Sequence, residues 1–276
     1  VLHTMNISIT DLTFTYPSGV QALRGVSLIL ISGESVAIVG ENGAGKTTLV
    51  KHFNGLLRPT GGTVHVGEWD TAAASVAKLA SRVGYVFQNP DDQLFERSVI
   101  KEASFGPKNL GRSDAEAKEA AQKALAAVGL DQELDKHPYD LHLSQRKLLA
   151  LAAVLAMHTP VIVLDEPTTG QDARGLARIG DIIEQLKAER RTVVTITHDI
   201  DFAAEHFERV IVMAKGQVQA DGDAADVLAR REILAAAEVE PPQLARLAQA
   251  LGLPATPLTP EQFVKTLEAT CPHPSS

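Results

Sequence analysis

The fold of this chain is decided by one stretch of its sequence, Gly40-Glu41-Asn42-Gly43-Ala44-Gly45-Lys46-Thr47-Thr48. The stretch matches the phosphate-binding pattern GxxxxGK(S/T) at every fixed position. Residues 35–39 before it are apolar and mostly β-branched, which predicts a buried parallel strand. Residues 49–53 after it predict a helix. Strand, glycine loop and helix are the context that the motif requires, and they disfavour the alternative of a glycine-rich turn without chemical meaning.

The residue types of this loop suit the binding of a nucleotide. Gly43 and Gly45 let the backbone curl, so that successive N–H groups point at phosphate oxygens near the positive end of the following helix. Lys46 can bridge the outer phosphates, and the Thr47 hydroxyl can coordinate Mg²⁺. We therefore expect nucleotide contacts from Gly40, Asn42, Gly43, Ala44, Gly45, Lys46, Thr47 and Thr48.

Composition and charge limit the classes of protein to which the chain can belong. Its 276 residues are 45% hydrophobic and 22% charged, which is ordinary for a soluble globular protein. A formal net charge of -8 argues against a nucleic-acid partner and against electrostatic docking on anionic lipid. The single cysteine, Cys271, excludes an internal disulfide, and the longest apolar run, residues 148–157, is too short to span a bilayer. With no secretory signal visible, we expect a cytosolic protein that serves a membrane only through partners.

Alternating strands and helices predict an α/β fold with a mainly parallel sheet. Residues 6–39 have a β pattern interrupted by a turn at residues 17–19. Buried parallel strands are predicted at 161–164 and 192–197, with a helix at about 175–187 between them.

A helical region is expected within this α/β pattern. Ser113 and Glu116 fit a capping box at the start of a helix that stops at Gly129, and a strongly apolar helix is predicted at 144–157. Residues 89–111 are punctuated by Pro, Asp, Asn and Gly, and they predict irregular structure.

A second motif, Val161-Ile162-Val163-Leu164-Asp165-Glu166, places two acids at the tip of an apolar strand. Open α/β sheets bind their ligands at this end of the strands. Asp165 is suited to binding Mg²⁺ directly or through water, and Glu166 to accepting a proton from an attacking water or orienting it. Two acids after a strand are also common as a helix cap, but beside a phosphate-binding loop they indicate nucleotide hydrolysis.

These motifs resemble the nucleotide-binding subunit of ATP-binding cassette (ABC) proteins, over residues 6 to about 230. Residues 165–169 look like the extended Walker B motif of that family, and Asp172 matches the aspartate of its D-loop. The resemblance further implies a switch histidine, a Q-loop glutamine and an aromatic residue that stacks on adenine, which are His198, Gln88 and Tyr16.

The resemblance implies ATP and Mg²⁺ as ligands. The catalytic residues would be Lys46, Gln88, Glu166 and His198. The metal would be held by Thr47, Gln88 and Asp165.

The resemblance also implies an architecture, namely a P-loop NTPase core of ABC type with a mainly parallel sheet, an antiparallel β subdomain and a helical subdomain. We expect the ABC ATPase domain at 1–237, with its helical subdomain at about 89–158. A short C-terminal helical extension is expected at 238–276, where prolines separate two helical stretches, 243–251 and 261–267.

Three stretches are similar to the ATPases of energy-coupling factor (ECF) transporters and their cobalt and nickel relatives: residues 14–19, 54–62 and 87–95. The proline-broken extension is similar to the same group, in which it helps two ATPases to pair. This similarity implies one of two ATPase subunits at the cytoplasmic face of the cell membrane. It also implies two membrane partners, a transmembrane scaffold subunit and a small substrate-binding subunit, that import a vitamin or a transition-metal ion.

The chain departs from the family pattern at the signature motif, LSGGQ. An alignment without gaps places Leu141-His142-Leu143-Ser144-Gln145 there, so His142 replaces the serine, and Leu143 and Ser144 replace the glycines. A gapped alternative keeps Leu143-Ser144 and deletes both glycines. We prefer the gapless alignment because residues 137–140 then also match.

In the family, the signature of one subunit closes over ATP bound to the P-loop of the other. We therefore expect His142, Ser144 and Gln145 near the nucleotide of a second ATPase subunit. Either the altered motif weakens the partner's site and makes the two sites unequal, or His142 substitutes adequately for the serine. The second subunit is a homologous chain, which the unusual signature favours, or another copy of this chain.

Other functions remain as alternatives. One is the ATPase of a different ABC importer, and another is a soluble ABC ATPase that is not tied to transport. DNA-repair types insert a long coiled coil, for which residues 49–140 leave no room, and translation types carry two cassettes in one chain. A P-loop GTPase or kinase would leave His198 and the signature helix unexplained, and the sequence contains no Asn-Lys-x-Asp motif for guanine.

Overall fold

Two β-sheets organise residues 5–254 and 256–270, the part of the chain that the computed structural model describes. The single cysteine, Cys271, lies outside these residues. Numbered in chain order, the strands are Ile7–Thr15 (β1), Gln21–Leu30 (β2), Ser35–Val39 (β3), Gly61–Val66 (β4), Trp69–Asp70 (β5), Val83–Val86 (β6), Val161–Asp165 (β7), Thr192–Ile196 (β8), Arg209–Ala214 (β9) and Gln217–Asp223 (β10). The described residues form an antiparallel sheet in the order β2-β1-β4-β5 and a larger sheet in the order β10-β9-β3-β8-β7-β6.

The larger sheet is parallel except at β10, which pairs antiparallel with β9. Parallel strands carry their carboxyl ends at one edge, so the loops that follow β3, β8, β7 and β6 lie side by side. This arrangement confirms the predicted α/β fold with a mainly parallel sheet. It also brings the glycine loop, His198, Asp165 and Gln88 to the same edge.

The strand β3 lies between two packing layers. All five of its residues are buried, as expected for a parallel strand covered on both faces. Val36 and Ile38 pack in one apolar cluster with the antiparallel sheet, whereas Ala37 and Val39 belong to a second cluster with the helices. Alternate residues of one strand therefore hold the glycine loop against both layers.

The described α-helices, in chain order, are Lys46–Val50 (α1), Val76–Ala80 (α2), Val99–Asn109 (α3), Asp114–Ala127 (α4), Leu143–Met157 (α5), Ala173–Ala188 (α6), Ile200–His206 (α7), Ala224–Leu228 (α8), Arg231–Ala236 (α9), Gln243–Ala250 (α10) and Pro260–Thr270 (α11). Helices α3, α4 and α5 pack against one another. The capping box at α4 is confirmed, because the Glu116 N–H donates to Ser113 Oγ (3.3 Å) and the Ser113 N–H donates to Glu116 Oε2 (2.9 Å). Among the described residues, none of the helices combines the length and the apolar character that a membrane crossing requires.

The prediction of irregular structure at residues 89–111 is wrong for the helix α3. Its buried face contains Glu102 and Ser104 beside small apolar residues, so the apolar periodicity of a helix is weak. The Glu102 carboxylate accepts hydrogen bonds from the backbone N–H groups of Phe95 (2.9 Å) and Glu96 (2.7 Å). The helix is thus stabilised by contacts with the preceding loop that local sequence does not reveal. The helices α2, α7, α8 and α9 were likewise not predicted, whereas α10 and α11 overlap the two helical stretches predicted at the C-terminal end.

Candidate nucleotide-binding site

The glycine loop leaves β3 and turns directly into α1. Gly40 (φ 148°) and Gly45 (φ 99°) adopt backbone conformations that L side chains rarely take. A Cβ atom on Gly40 would lie 2.0 Å from the Met213 carbonyl oxygen, and one on Gly45 would lie 2.7 Å from that of Ala22. The two glycines therefore let the loop pack against neighbouring backbone where no side chain fits.

The helix after the loop starts earlier than the sequence predicts. The prediction placed it at 49–53, but α1 begins at Lys46, immediately after Gly45, and ends at Val50. After Val50 the backbone continues in tight turns with hydrogen bonds between residues three apart. The Phe53 N–H, for example, donates to the Val50 carbonyl oxygen (3.0 Å). Early initiation places Lys46, Thr47 and Thr48 in the first turn of the helix.

The Lys46 side chain is folded back into the loop and is 6% exposed. Its Nζ donates to the carbonyl oxygens of Gly40 (2.7 Å) and Glu41 (2.9 Å). Burial lowers the pKa of Lys46, while the carboxylates of Glu166 and Asp165 oppose that shift. A phosphate oxygen offers a charged acceptor in place of these carbonyl groups, and a charge-assisted hydrogen bond is stronger than a neutral one.

The other predicted members of the loop occupy two environments. Asn42 and Gly43 are exposed at its tip, whereas Ala44 and Thr48 are buried beneath it. The Tyr16 hydroxyl and Thr48 Oγ1 lie 2.9 Å apart and share a hydrogen bond. Tyr16 thus stands beside the start of α1, and its stacking on adenine stays a prediction.

Asp165 ends β7, and both of its carboxylate oxygens have partners. Thr47 Oγ1 donates to Oδ1 (3.1 Å), and the Tyr85 hydroxyl donates to Oδ2 (2.7 Å). Burial, together with the charge of Asp165, raises the pKa of Tyr85, which therefore stays protonated and donates. Hydroxyl and carboxylate oxygens are ligands that Mg²⁺ prefers, so Thr47 and Asp165 fit a magnesium site.

Sequence reasoning missed Tyr85. Its signal was a tyrosine in the otherwise apolar strand β6, three residues before Gln88. The pairing of β6 with β7 in parallel brings the hydroxyl to Asp165.

Glu166 and His198 lie in contact. The Glu166 backbone adopts a positive φ of 51°, which is uncommon for a residue with a side chain. Its buried carboxylate oxygen Oε2 lies 2.7 Å from His198 Nδ1 and also accepts from the His198 N–H (3.4 Å). The His198 side chain is 62% exposed, so its ring is anchored by Glu166 on one side and exposed on the other.

Three of the four predicted catalytic residues line an open cleft of about 690 Å³. It is lined by Gly40, Asn42, Gln88, Glu166 and His198, and Gln88 is exposed at its edge. The cleft is also lined by residues 238–241, Gln243 and Arg246, which the sequence did not place near the loop. The Glu41 N–H donates to the Ala237 carbonyl oxygen (3.2 Å), which fixes the start of this segment beside the glycine loop.

The residues aligned with the family signature lie elsewhere, at the start of α5, and do not line that cleft in the described part of the chain. His142 and Leu143 are exposed, and Ser144 and Gln145 are half-buried. The Gln145 side chain accepts from the His142 N–H (3.2 Å), which caps the helix. Asp172 caps α6 by accepting from the Gly175 N–H (2.8 Å), so the aspartate predicted to contact nucleotide has a structural partner within the chain.

The fold and the site together define a P-loop nucleotide hydrolase of the α/β class. The family model described as ABC transporter matches residues 23–169, more than half of the chain. A protein of Pyrococcus furiosus, provisionally described as an ABC transporter ATP-binding protein, is 43% identical over 247 residues, which are 90% of this chain and 94% of that protein. The chain belongs to the ABC transporter family of ATP-binding proteins, whose members are ATPases that power transport.

Two further relatives carry more specific descriptions. The energy-coupling factor transporter ATP-binding protein EcfA of Methanosphaera stadtmanae is 37% identical over 243 residues, or 87% of each chain. The structure of CbiO1 from Clostridium perfringens, part of the ABC transporter complex CbiONQ, matches with a TM-score of 0.74 and 32% identity, covering 91% of this chain and all of that one.

The dimeric ATP-binding cassette MJ0796, bound to ADP and Pi, matches with a TM-score of 0.73 and 26% identity, covering 79% of this chain and 98% of the other. These likenesses confirm the predicted ABC fold.

Proposed function

We propose that this chain is one of the two ATPase subunits of an ECF-type importer that takes up a vitamin or a transition-metal ion. The ATPase activity follows from the family. The observation that carries the proposed mechanism is that Glu166 and His198 contact each other in the cleft, beside Gly40 of the loop that holds Lys46. The ECF assignment is supported by the similarity to EcfA and CbiO1 and by the resemblance in residues 87–95.

In the proposed mechanism, the glycine loop and Lys46 bind the phosphates of ATP. Lys46 Nζ exchanges its two backbone carbonyl acceptors for phosphate oxygens. Thr47 and Asp165, with Gln88 at the edge of the cleft, are the residues that would hold Mg²⁺. When bound, Mg²⁺ neutralises part of the phosphate charge.

Glu166 accepts a proton from the attacking water or orients it. His198, hydrogen-bonded to the Glu166 carboxylate, holds that carboxylate in place and presents its exposed side to the γ-phosphate. The positive φ of Glu166 belongs to this geometry, since strained backbone conformations cluster at active sites.

The remaining half of the site comes from a second ATPase subunit. The signature of this chain, with His142 in the place of the serine, covers ATP on the partner, and the partner's signature covers ATP here. In this proposal, residues 1–237 form the ATPase domain, Gln88 and the following residues to about Gly106 transmit movement to the transmembrane scaffold, and residues 238–276 help the two ATPases to pair. A small membrane subunit selects the substrate, so the complex acts at the cytoplasmic face of the membrane.

The substitution Glu166→Gln tests the catalytic assignment. It preserves the size of the side chain but removes the base, and we expect an ATP-loaded closed dimer with turnover reduced by about 100-fold or more. Steady-state ATP hydrolysis and retained nucleotide after gel filtration measure the two effects. The matched control is Glu205→Gln, an exposed glutamate on α7. Wild-type hydrolysis by the Glu166→Gln protein would refute the role of Glu166.

Purification from native membranes tests the ECF assignment separately. We expect the chain to co-purify with a second ATPase, a transmembrane scaffold and a small membrane protein that carries a bound vitamin or metal ion, identified by mass spectrometry. Recovery with a permease of another ABC type, or no recovery with membrane proteins, would contradict the ECF assignment but leave the ATPase activity intact.

A further inference from the structure

Lys147 lies on α5, two residues after the end of the signature stretch, and reaches the turn that contains Glu166. Its half-buried side chain donates from Nζ to the Glu166 backbone carbonyl oxygen (3.3 Å). The preceding residue, Arg146, points elsewhere, because it pairs with Asp91 (2.8 Å) and lies over the Tyr139 ring. Of these two neighbouring cations, Lys147 is therefore the one that contacts the proposed catalytic turn.

The contact falls on a residue whose conformation needs support. Glu166 has a positive φ (51°), a region that disfavours side-chain-bearing residues. Its N–H donates to the Ile196 carbonyl oxygen (2.9 Å), and its carboxylate binds His198 Nδ1 (2.7 Å). The bond from Lys147 satisfies the carbonyl group, so the N–H, the carboxylate and the carbonyl of this strained residue are all tied to neighbouring elements.

A second hydrogen bond joins the same two segments. Gln171 Nε2 donates to the Ser144 carbonyl oxygen (3.2 Å), in the first turn of α5. The Oε1 atom of Gln171 is buried and has no hydrogen-bond partner among the residues that the structure describes, which is unfavourable for stability. Lys147, Glu166 and Gln171 also line one small cavity of about 10 Å³, so the three residues lie close together.

The electrostatic surroundings suit a positioning role for Lys147. Burial lowers the pKa of the Lys147 ammonium, whereas the carboxylates of Glu166 and Asp165 favour its charged form. The Lys147 side chain therefore lies near both acids while its hydrogen bond goes to the Glu166 backbone carbonyl, which leaves the Glu166 carboxylate available for His198.

We propose that Lys147 is a positioning residue for Glu166, and that Lys147 and Gln171 together couple the catalytic turn of this chain to the first turn of its own signature helix. This proposal rests on the proposed catalytic role of Glu166. In the closed dimer, the signature of this chain contacts the partner's ATP, so a displacement of α5 is transmitted to Glu166 through these two hydrogen bonds. Each subunit thereby adjusts its own catalytic carboxylate according to the nucleotide bound by the other.

The positioning role is tested with Lys147→Met and Lys147→Arg in the whole chain. We expect Lys147→Met to lower kcat for ATP hydrolysis by about tenfold, with KM for ATP changed less than twofold, because binding residues are untouched. Lys147→Arg retains a donor and restores most of kcat. Lys118→Met, an exposed lysine on α4, is the matched control and keeps wild-type values.

A merely structural role would give a different pattern. It would lower the thermal midpoint and the fraction of protein that binds nucleotide, while kcat per binding-competent molecule stayed at the wild-type value. Either that pattern or an unchanged kcat in Lys147→Met overturns the positioning role. If Glu166→Gln is inactive while Lys147→Met is normal, this inference alone fails; if Glu166→Gln is fully active, the proposed mechanism fails first.

Coupling is tested by a double-mutant cycle with Gln171→Leu. If the two hydrogen bonds act as one unit, the doubly substituted chain should have a kcat close to that of the less active of the two single variants. A kcat equal to the product of the two separate effects would mean that the contacts act independently, and it would overturn the coupling.

Discussion

The glycine loop is bonded to other parts of its own chain, whereas the signature stretch is exposed at the surface. In the loop at 40–48, the buried Lys46 donates to two backbone carbonyl oxygens, and Thr47 donates to Asp165. The signature stretch at 141–145 faces outward, with Leu143 50% exposed and His142 exposed at the cap of α5. The exposed half of the Leu143 surface is free of contacts with the described residues of this chain. The difference is what we expect of a site divided between two subunits, in which one half is completed internally and the other half awaits a partner.

Removing the Lys46 ammonium should have the largest effect, a loss of ATP binding, because the glycine loop is the half of the site that is already assembled within this chain. We expect Lys46→Met to weaken ATP binding by about 100-fold, since a charge-assisted contact with the phosphates is lost in a largely buried position. Isothermal titration with Mg-ATP measures the effect. Lys101→Met, an exposed lysine on α3, should bind ATP normally. Equal binding by both variants would show that the loop holds nucleotide without Lys46.

A smaller effect is expected when the loop is intact but the Asp165 carboxylate loses one of its hydrogen bonds. Tyr85→Phe removes the hydrogen bond to Asp165 Oδ2 (2.7 Å) and leaves a buried carboxylate oxygen without that donor. We expect the Mg²⁺ concentration for half-maximal hydrolysis to rise by about tenfold, as for other losses of support around metal ligands. ATP hydrolysis during a Mg²⁺ titration gives this value.

The comparison variant for this experiment is Tyr139→Phe, which alters an exposed tyrosine near the signature. An unchanged Mg²⁺ requirement in the Tyr85→Phe protein would show that Thr47 alone orients Asp165.

The same contrast explains what could be predicted from the sequence. The glycine loop, the two acids at the end of β7 and the capping box at Ser113 depend on residues close together in the chain, and local patterns predict them. The contact of Tyr85 with Asp165 depends on the pairing of β6 with β7, and the seat of residues 238–241 in the cleft depends on tertiary packing. Such contacts leave no periodic signal.

The polar buried face of α3 was missed for a related reason. Glu102 is buried because it accepts two backbone hydrogen bonds from the preceding loop, and a pattern of apolar residues cannot indicate this. Likewise, the sequence placed Asp172 in a nucleotide-binding motif, but its bond to the Gly175 N–H, a helix cap, became visible only in the fold.

The smallest effect on ATP hydrolysis is expected from a substitution in the signature stretch, the exposed half of the site. If His142 donates a hydrogen bond to nucleotide on the partner, His142→Ala should lower hydrolysis by the assembled ATPase pair by about fivefold, the value of an ordinary hydrogen bond. The thermal midpoint should fall by no more than about a few degrees, because the side chain is exposed and the Gln145 side chain still accepts from the N–H of residue 142. His142→Asn keeps a donor and should retain most of the activity. If His142→Ala and His142→Asn both hydrolyse ATP at the wild-type rate, the altered signature contributes no side-chain donor to the partner's ATP. The division of the site would then rest on the backbone of α5 alone.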